Sequence, residues 1–376
     1  LKFLRLFTKG FFLIVNVVTV LFFLLACLAP FISPVRFWPI SFLTLGFPFM
    51  LVILVLFLIF WLIFHPKYAL LPLMALVIGW KSVSAFIAVR WPSSWDTNDK
   101  PKNSISVMSY NVALFGLYTK KNSRPTRDAM FRLIKAQKPD ILCLQDFYTS
   151  EKQDDFNNRE DISAEMNLPY RFFSSDFNRQ GSQHWGSIIF SRYPVIRSDK
   201  VKMSPGPMGE SLIYADIVRG KDTIRIVNMH LESYRFNAQD YQSIEKIKKQ
   251  EDTGLVAAKG IMNKMRDAYT RRSRQANIVA DFIKTSPHPV IVCGDFNDTP
   301  ASYTYFKVKG SLQDAFLRKG SGIGRTFSGL SPTLRIDYIF ADKRFTVNGF
   351  QTLRSDLSDH YPVITNLTLR QTAAEP

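Results

Sequence analysis

Acidic residues are missing from the first quarter of this chain: residues 1–90 contain seven Lys or Arg and no Asp or Glu. Carboxylate chemistry is thereby excluded from that part, and the remaining 286 residues hold 41 of the 48 basic side chains and all 31 acidic ones. Cysteine is scarce too, with Cys27, Cys143 and Cys293 the whole set. Three thiols cannot build a disulfide framework, and no Cys/His cluster has the spacing of a zinc site. Cys27 falls in a long apolar run and the other two inside strand-like patterns, so all three read as buried, inert thiols. No repeat at fixed period and no low-complexity tract is present, which excludes a repeat architecture.

What the first part has instead is length of apolar run. Gly10–Ile32, with Asn16 and Thr19 as its polar interruptions, and Ile40–Phe64 are each long enough to cross a hydrocarbon core of roughly 30 Å at a rise of about 1.5 Å per residue. A helix in water keeps a polar face, and a cleaved signal is not followed by a second long run. Tyr68–Val89 is a third candidate, with Lys81 inside it at a helix contact or snorkelling to the surface. Lys2, Arg5 and Lys9 precede the first run, Arg36 lies between the first two, and Lys67 follows the second. Basic residues collect on the cytoplasmic side, so this order places the N-terminus inside, Arg36 outside and Lys67 inside. A third crossing then carries the rest of the chain outside the cytoplasm, whereas two would leave it inside. The expectation is a multi-pass anchor in a lipid bilayer over residues 1–90.

Trp91–Asn103 reads as a linker without apolar period, and residues 371–376 as a tail. Between them, residues 104–370 mix strands with helices. Strands are expected at 105–112, 141–146, 187–191, 211–218, 223–231, 289–295, 336–341 and 362–369, with helices at Thr126–Gln137 and over Gln239–Lys284. Strands apolar on both faces, flanked by helices, indicate a layered α/β (α+β) domain of two packed sheets covered by helices.

Several apolar runs in this domain carry polar residues at their ends. ISVMSYN ends at Asn111, ILCLQD at Asp146, IRIVNMH at His230, and PVIVCGDFN at Asp295 and Asn297; RIDYIF carries Asp337, and SDLSDHYPV adds Asp359 and His360. Such groups at strand ends can converge on one pocket, where buried carboxylates need a metal or a hydrogen-bond partner. Residues two apart in a strand share a face, which joins Asp295 to Asn297, Asn111 to Ser109, and Asn228 to His230. Asn228 thereby enters the substrate-side set. Gly294 lets another backbone or a ligand come close.

Hard oxygen ligands at Asp146 and Asp295/Asn297 suit Mg²⁺ or Mn²⁺ rather than zinc. Such an ion polarises a phosphoryl oxygen and stabilises the leaving one. His360 suits a general base that activates water, with Asp337 orienting its other ring nitrogen. His230 is placed to bind the phosphate, with Asn111 and Asn297 fixing its oxygens. Singly, an Asp–Asn step is an ordinary turn, and Arg335 beside Asp337 an ordinary ion pair. Their joint occurrence points to metal-assisted attack of water on a phosphodiester or phosphomonoester.

The ordered set SYN (109–111), DILCLQD (140–146), NMHL (228–231), GDFND (294–298), RIDYIF (335–340) and SDHYPV (358–363) resembles the endonuclease/exonuclease/phosphatase superfamily over about residues 104–370. The resemblance implies the four-layered α/β sandwich of deoxyribonuclease I and a divalent-metal-dependent hydrolase. It implies that Asn111 and Asp146 sit at the metal, with Asp359 a further metal-side carboxylate. It also implies that His230 contacts the scissile phosphate, that Asp295 and Asn297 position the nucleophilic water, and that His360 pairs with Asp337. Which of His360 and Asp295 takes the proton stays open. The family usually has Glu where this chain has Asp146, a reach shorter by on the order of 1.5 Å. Some of its nucleases carry an acidic residue at the place of Ala113.

The substrate is less constrained. Lys246, Lys248 and Lys249, with Arg271, Arg272 and Arg274, form the densest basic cluster, which suits nucleic acid, an anionic phospholipid headgroup or a sugar phosphate. The same charges also suit a solvated helix face. Two further classes are a catalytically weakened phosphate-binding or scaffold protein, suggested by Asp146 and Ala113, and a membrane transport or sensor component. Apolar runs with so few polar groups offer little for a transport path.

Overall fold

Strands with apolar residues on both faces need cover on both sides, and alternation decides which side chain goes where. The computed structural model describes residues 2–90, 95–97, 99–118, 123–152, 156–205, 210–249 and 254–370. Residues 91–94 and 98 of the expected linker, residues 250–253 of the expected helical region, and the tail 371–376 lie outside the described residues. Two units are distinguished: residues 1–86, 232–274 and 299–307 form one, and residues 87–231, 275–298 and 308–376 the other.

The second unit holds two six-stranded sheets. Its strands are β1 (Ile105–Asn111), β2 (Ile141–Ser150), β3 (Tyr170–Arg179), β4 (Gln183–Ser191), β5 (Val195–Lys202) and β6 (Ser211–Arg219). They continue with β7 (Asp222–His230), β8 (Val290–Asp295), β9 (Gln313–Asp314), β10 (Asp337–Ala341), β11 (Phe345–Thr352) and β12 (Val363–Leu369). One sheet runs β11-β12-β1-β2-β4-β3 and the other β5-β6-β7-β8-β10-β9. Both are mixed, with β1/β2 and β7/β8 parallel. Val107, Cys143 and Ile189 of the first sheet share a buried core with Ile226, Cys293 and Ile339 of the second. Their sequence neighbours Met108, Leu142 and Leu144 turn the other way, onto Met130, Phe131 and Ile134 of the helix Ser123–Gln137. This is the expected pair of sheets flanked by helices.

A polar tie centred on Asn228 crosses the inter-sheet core. Asn228 of β7 accepts from Gln145 Nε2 of β2 at 2.6 Å, and its Nδ2 donates to the carbonyls of Leu144 and Ile188 at 3.0 Å each. Every polar atom of the Asn228 side chain is therefore satisfied inside the core.

Four strands were not expected from sequence: β3, β5, β11 and the two-residue β9. β5, with the sequence VIRSDKVK, is an edge strand whose charged, half-exposed residues blunt pairing with another chain and erase the alternation that would announce it. The expected helical region is two helices, Ala238–Lys248 and Gly254–Lys284; Asn237 and Asp240 close a capping box at the start of the first.

Among the described residues of the first unit, two helices are long and apolar enough to cross a membrane, Thr8–Phe31 and Pro39–Phe64. They run antiparallel, with Phe12 against Phe60 and Phe23 against Phe47 at ring-centroid distances of 5.2 and 5.3 Å. Leu21, Leu56 and Ile63 point outward, as lipid-facing residues do. The third run is not one continuous helix: Pro66–Ile78 and Trp80–Phe86 meet at a bend of 70°. Gly79 at the bend lies so close to the first helix that a Cβ would fall 2.6 Å from a ring carbon of Phe23 and 2.8 Å from Cys27 Sγ. The ammonium of Lys81 lies 4.3 Å from the Phe31 ring centre and 5.0 Å from that of Phe306, a cation–π setting for the one charge in this run.

Candidate active site

Strand register brings the first three groups together. His230 is paired with Asp295 in the parallel β7/β8 ladder, and Asp337 with Asp295 in the antiparallel β8/β10 ladder. Three neighbouring strands thus present one functional residue each at the same level. Gly294 makes this possible: its φ is +144°, and a Cβ there would lie 1.9 Å from the Met229 carbonyl oxygen.

Asp295, almost fully buried, is the hub. Its Oδ1 accepts from the Asn297 backbone N–H at 2.8 Å, and its Oδ2 accepts from Asn111 Nδ2 at 3.1 Å and Asn297 Nδ2 at 3.3 Å. Asn297 takes a left-handed φ of +52°, which folds its amide back to donate to the Leu231 carbonyl at 2.9 Å. His360 Nδ1 lies 3.0 Å from Asp337 Oδ2, and His230 Nδ1 lies 3.2 Å from Asp146 Oδ1.

Asp146 is not the end of its strand. β2 continues to Ser150, and its pairing with β4 shifts between Leu144 and Phe147. This bulge, with Asp146 at φ +45°, turns the carboxylate toward the site and leaves it about two-fifths exposed.

Charge follows from this pairing. Burial alone would lower both imidazoles, but Asp146 and Asp295 hold His230 up at about 10, and Asp337 and Asp295 hold His360 at about 10. Burial pushes Asp337 above the usual carboxylate range, with His360 opposing it. Burial would raise Asp146 as well, yet the His230 charge and hydrogen bond bring it down to about 2.

Asn111, Asp146, His230, Asp295, Asn297, Asp337 and His360 are thus joined in one chain of polar contacts. Asp359 lies beside them, exposed, with Oδ1 3.3 Å from Ser358 Oγ. Asn228 does not belong with them. It is fully buried and spends its whole amide on the inter-sheet tie, so it supports Gln145 and the strand below His230 instead of facing a substrate.

Two polar residues of the site carried no role in the sequence reading. Ser358 Oγ donates to the Asn111 carbonyl at 3.0 Å and accepts from the His360 N–H at 3.1 Å, stitching the last motif to β1. Thr326 Oγ1 accepts from the backbone N–H groups of Ile336 and Asp337 at 2.9 and 3.1 Å. Ser358 was signalled by its place before Asp359–His360, whereas no local pattern marks Thr326. Asp176 on β3 is also close enough to feel the His230 charge; burial pushes it up to about 6 against the pull of Lys200.

The donor set fits a hard divalent cation. Asp146 is accessible, Asn111 hydrogen-bonds it, and Asp359 adds an exposed carboxylate. Asp295, Asp337 and His360 also bring one ligand atom each within 4.8 Å of one another. The imidazole of that cluster is already paired with Asp337 through Nδ1, an arrangement better suited to holding a proton than to Mg²⁺.

The sequence profile of the endonuclease/exonuclease/phosphatase family matches residues 108–360, and that of a domain of unknown function matches residues 9–86. A protein of Escherichia coli strain K12, known only as uncharacterized protein YbhP, is 26% identical over 262 residues, covering 65% of this chain and 87% of that one. In fold, the chain is similar to an endonuclease/exonuclease/phosphatase from Beutenbergia cavernae, with a TM-score of 0.52, 19% identity and coverage of 72% of each chain. A second similar structure is the endonuclease/exonuclease/phosphatase from Bacteroides vulgatus, with a TM-score of 0.51, 19% identity and coverage of 72% of this chain and 100% of that one.

Proposed function

The chain belongs to the endonuclease/exonuclease/phosphatase family, and on that premise we propose that it is a membrane-anchored, divalent-metal-dependent hydrolase of a phosphodiester or phosphomonoester. One observation carries the reading: Nε2 of His230 and Nε2 of His360 each lie 3.6 Å from the same oxygen, Asp295 Oδ2. Two imidazoles and a carboxylate aimed at one point form a seat for a phosphoryl group.

Each imidazole has Nδ1 held by a carboxylate, and in the charged form that these carboxylates favour, Nε2 also carries a proton and faces the seat. As imidazolium ions the pair offsets the charge that grows on phosphoryl oxygens during attack. Asp295, with Oδ1 fixed by the Asn297 N–H, orients the attacking water through Oδ2 and takes its proton. This assigns proton acceptance to Asp295 and leaves His360 as donor, because the two carboxylates around His360 favour its charged form. Mg²⁺ or Mn²⁺ held by Asp146 and Asn111, with Asp359 at the rim, would polarise a phosphoryl oxygen and stabilise the leaving one.

The side of the membrane is part of the proposal. Phe42, in the first turn of the helix Pro39–Phe64, packs edge-on against Tyr269 at 5.5 Å. Lys81 lies between Phe31, at the end of the first span, and Phe306. Tyr269 and Phe306 both belong to the family region, so its segments in this unit lie at the Arg36 end of the spans. This supports three crossings and a catalytic domain outside the cytoplasm.

The test uses the full-length protein in nanodiscs with bis(4-nitrophenyl) phosphate and 4-nitrophenyl phosphate, with Mg²⁺ or with chelator. Wild type should release nitrophenol only with the metal, and His360→Ala should not. Failure of metal-loaded wild type on these and on DNA, phospholipid and inositol phosphate would leave the second reading, a site that holds phosphate without cleaving it.

A further inference from the structure

Two cavities in the second unit are lined by basic side chains and by no carboxylate. One, of about 300 Å³, has Arg90, Arg318, Lys319 and Arg370 in its wall; the other, of about 690 Å³, has Lys319, Arg325 and Arg354. Lys319 lines both, so the two cavities adjoin there, and the trough they make up carries six cations in its walls. Among the described residues none of the six is in an ion pair. Through Nε, Arg318 donates to Gln313 Oε1 and Arg370 to Thr346 Oγ1, and the Arg325 guanidinium donates to the carbonyls of Phe327 and Ser328. Single exposed cations need no explanation, but six converging in concave walls with no counter-charge focus a positive potential inside the trough. The matching ligand is a phosphate-bearing anion.

The floor of the trough is tied to the chain that leaves the membrane helices. Ala88, two residues past the helix Trp80–Phe86, exchanges both backbone hydrogen bonds with Gly322, at 2.9 and 3.0 Å. Ser321 Oγ donates to the Arg90 carbonyl at 2.9 Å. The segment bonded to this wall is thus continuous in sequence with the last apolar helix, two residues after its end. Tyr361, the neighbour of His360, also lines the larger cavity.

We propose that this trough binds the phosphate-bearing headgroups of anionic phospholipids from the bilayer that the N-terminal helices cross. Basic pockets at the ends of membrane helices hold such headgroups by charge and hydrogen bonding together. The site is separate from the hydrolytic one: none of its six cations belongs to the seat at Asp295, and its occupancy does not depend on turnover.

The experiment compares retention of phosphatidylglycerol by full-length protein in phosphatidylcholine nanodiscs, read by native mass spectrometry. Wild type should retain phosphatidylglycerol, and the double variant Lys319→Gln/Arg354→Gln should lose affinity roughly thirtyfold, the effect of two basic contacts. Arg197→Gln/Lys202→Gln, on the edge strand β5, should match wild type, and so should His360→Ala. Hydrolysis of bis(4-nitrophenyl) phosphate by the trough variant reports that it is folded. Equal retention by wild type and trough variant would overturn the proposal. So would displacement of the lipid by millimolar inorganic phosphate, or a trough variant that loses binding of a single-stranded oligonucleotide while retaining the lipid.

Discussion

Asp146 Oδ1 lies 3.2 Å from His230 Nδ1, so the carboxylate proposed as a metal ligand is also the anchor of the imidazole proposed to face the phosphate. Asp146 sits in the β2 bulge with a positive φ, which turns its carboxylate toward the site. In the proposed mechanism one residue then holds two parts of the reaction in place.

Asp146→Ala should therefore do two things at once. Metal-dependent turnover should be lost, and the pKa of His230, held at about 10, should fall toward its ordinary value of 6.5. A Mg²⁺ titration of turnover and an NMR titration of the imidazole read the two effects separately. Undiminished turnover would remove Asp146 from the metal site.

His360→Ala should lower kcat by at least roughly 10²-fold, the scale of a positioned acid–base group. Asp337→Asn should act in the same direction, because Nδ1 of His360 loses the carboxylate 3.0 Å away. Equal kcat values for wild type and His360→Ala would reject the role.

Without a divalent cation, stability should peak in mildly acidic solution. A group whose pKa is raised on folding stabilises the fold fully below its unfolded value, and loses that contribution as pH climbs through the folded one. For His230 and His360 the loss spans 6.5 to about 10. Asp146 is depressed from 3.8 to about 2, so its contribution is present above 3.8 and fades toward about 2. Thermal unfolding in chelator should show both limbs, with the acid limb reduced in Asp146→Asn. A melting temperature constant from pH 6.5 to 10 would contradict the imidazole assignment.

Asn228→Leu tests the inter-sheet tie. The carbonyls of Leu144 and Ile188 lose their side-chain donor and Gln145 loses an acceptor, at a cost of about 1–3 kcal/mol for each buried group left unmatched. The melting temperature should drop. A variant with wild-type melting and a raised KM would instead restore Asn228 to the substrate side.

A reporter fused after Trp95 should be active only outside the cytoplasm. Cytoplasmic activity would reject the third crossing and turn the bent pair Pro66–Ile78 and Trp80–Phe86 into a re-entrant hairpin.

Much of this fold was legible because the central strands are apolar on both faces. β1, β2, β8 and β10 announced themselves, and the polar residues at their ends stood out against such runs. The edge strands β3, β5, β9 and β11 did not: β3 and β5 mix charge into the alternation, β11 breaks it with Asn348 and Gly349 at a register shift, and β9 is only two residues long. Parity in a strand put Asn228 on the face of His230, but could not tell that this position lies deep enough for its amide to be used up between the sheets. The bulge at Asp146 was equally invisible, because an extra residue in one strand is defined only by its partner. Thr326 acts through the backbone of Asp337 from a loop ten residues upstream of Ile336, a relation that only folding creates.

The alignment of His230, Asp295 and Asp337 across β7, β8 and β10 has a kinetic meaning. Adjacent strands keep a spacing of about 4.8 Å set by their hydrogen bonds, so these groups cannot draw together or spread without opening the ladder. The sheet behaves as an anvil. Any closure during turnover has to come from the parts that hang over it, the β2 bulge with Asp146 and the loop with Asp359 and His360. Exchange of one substrate class for another in this framework would be a matter of re-cutting those overhanging segments while the anvil stays as it is.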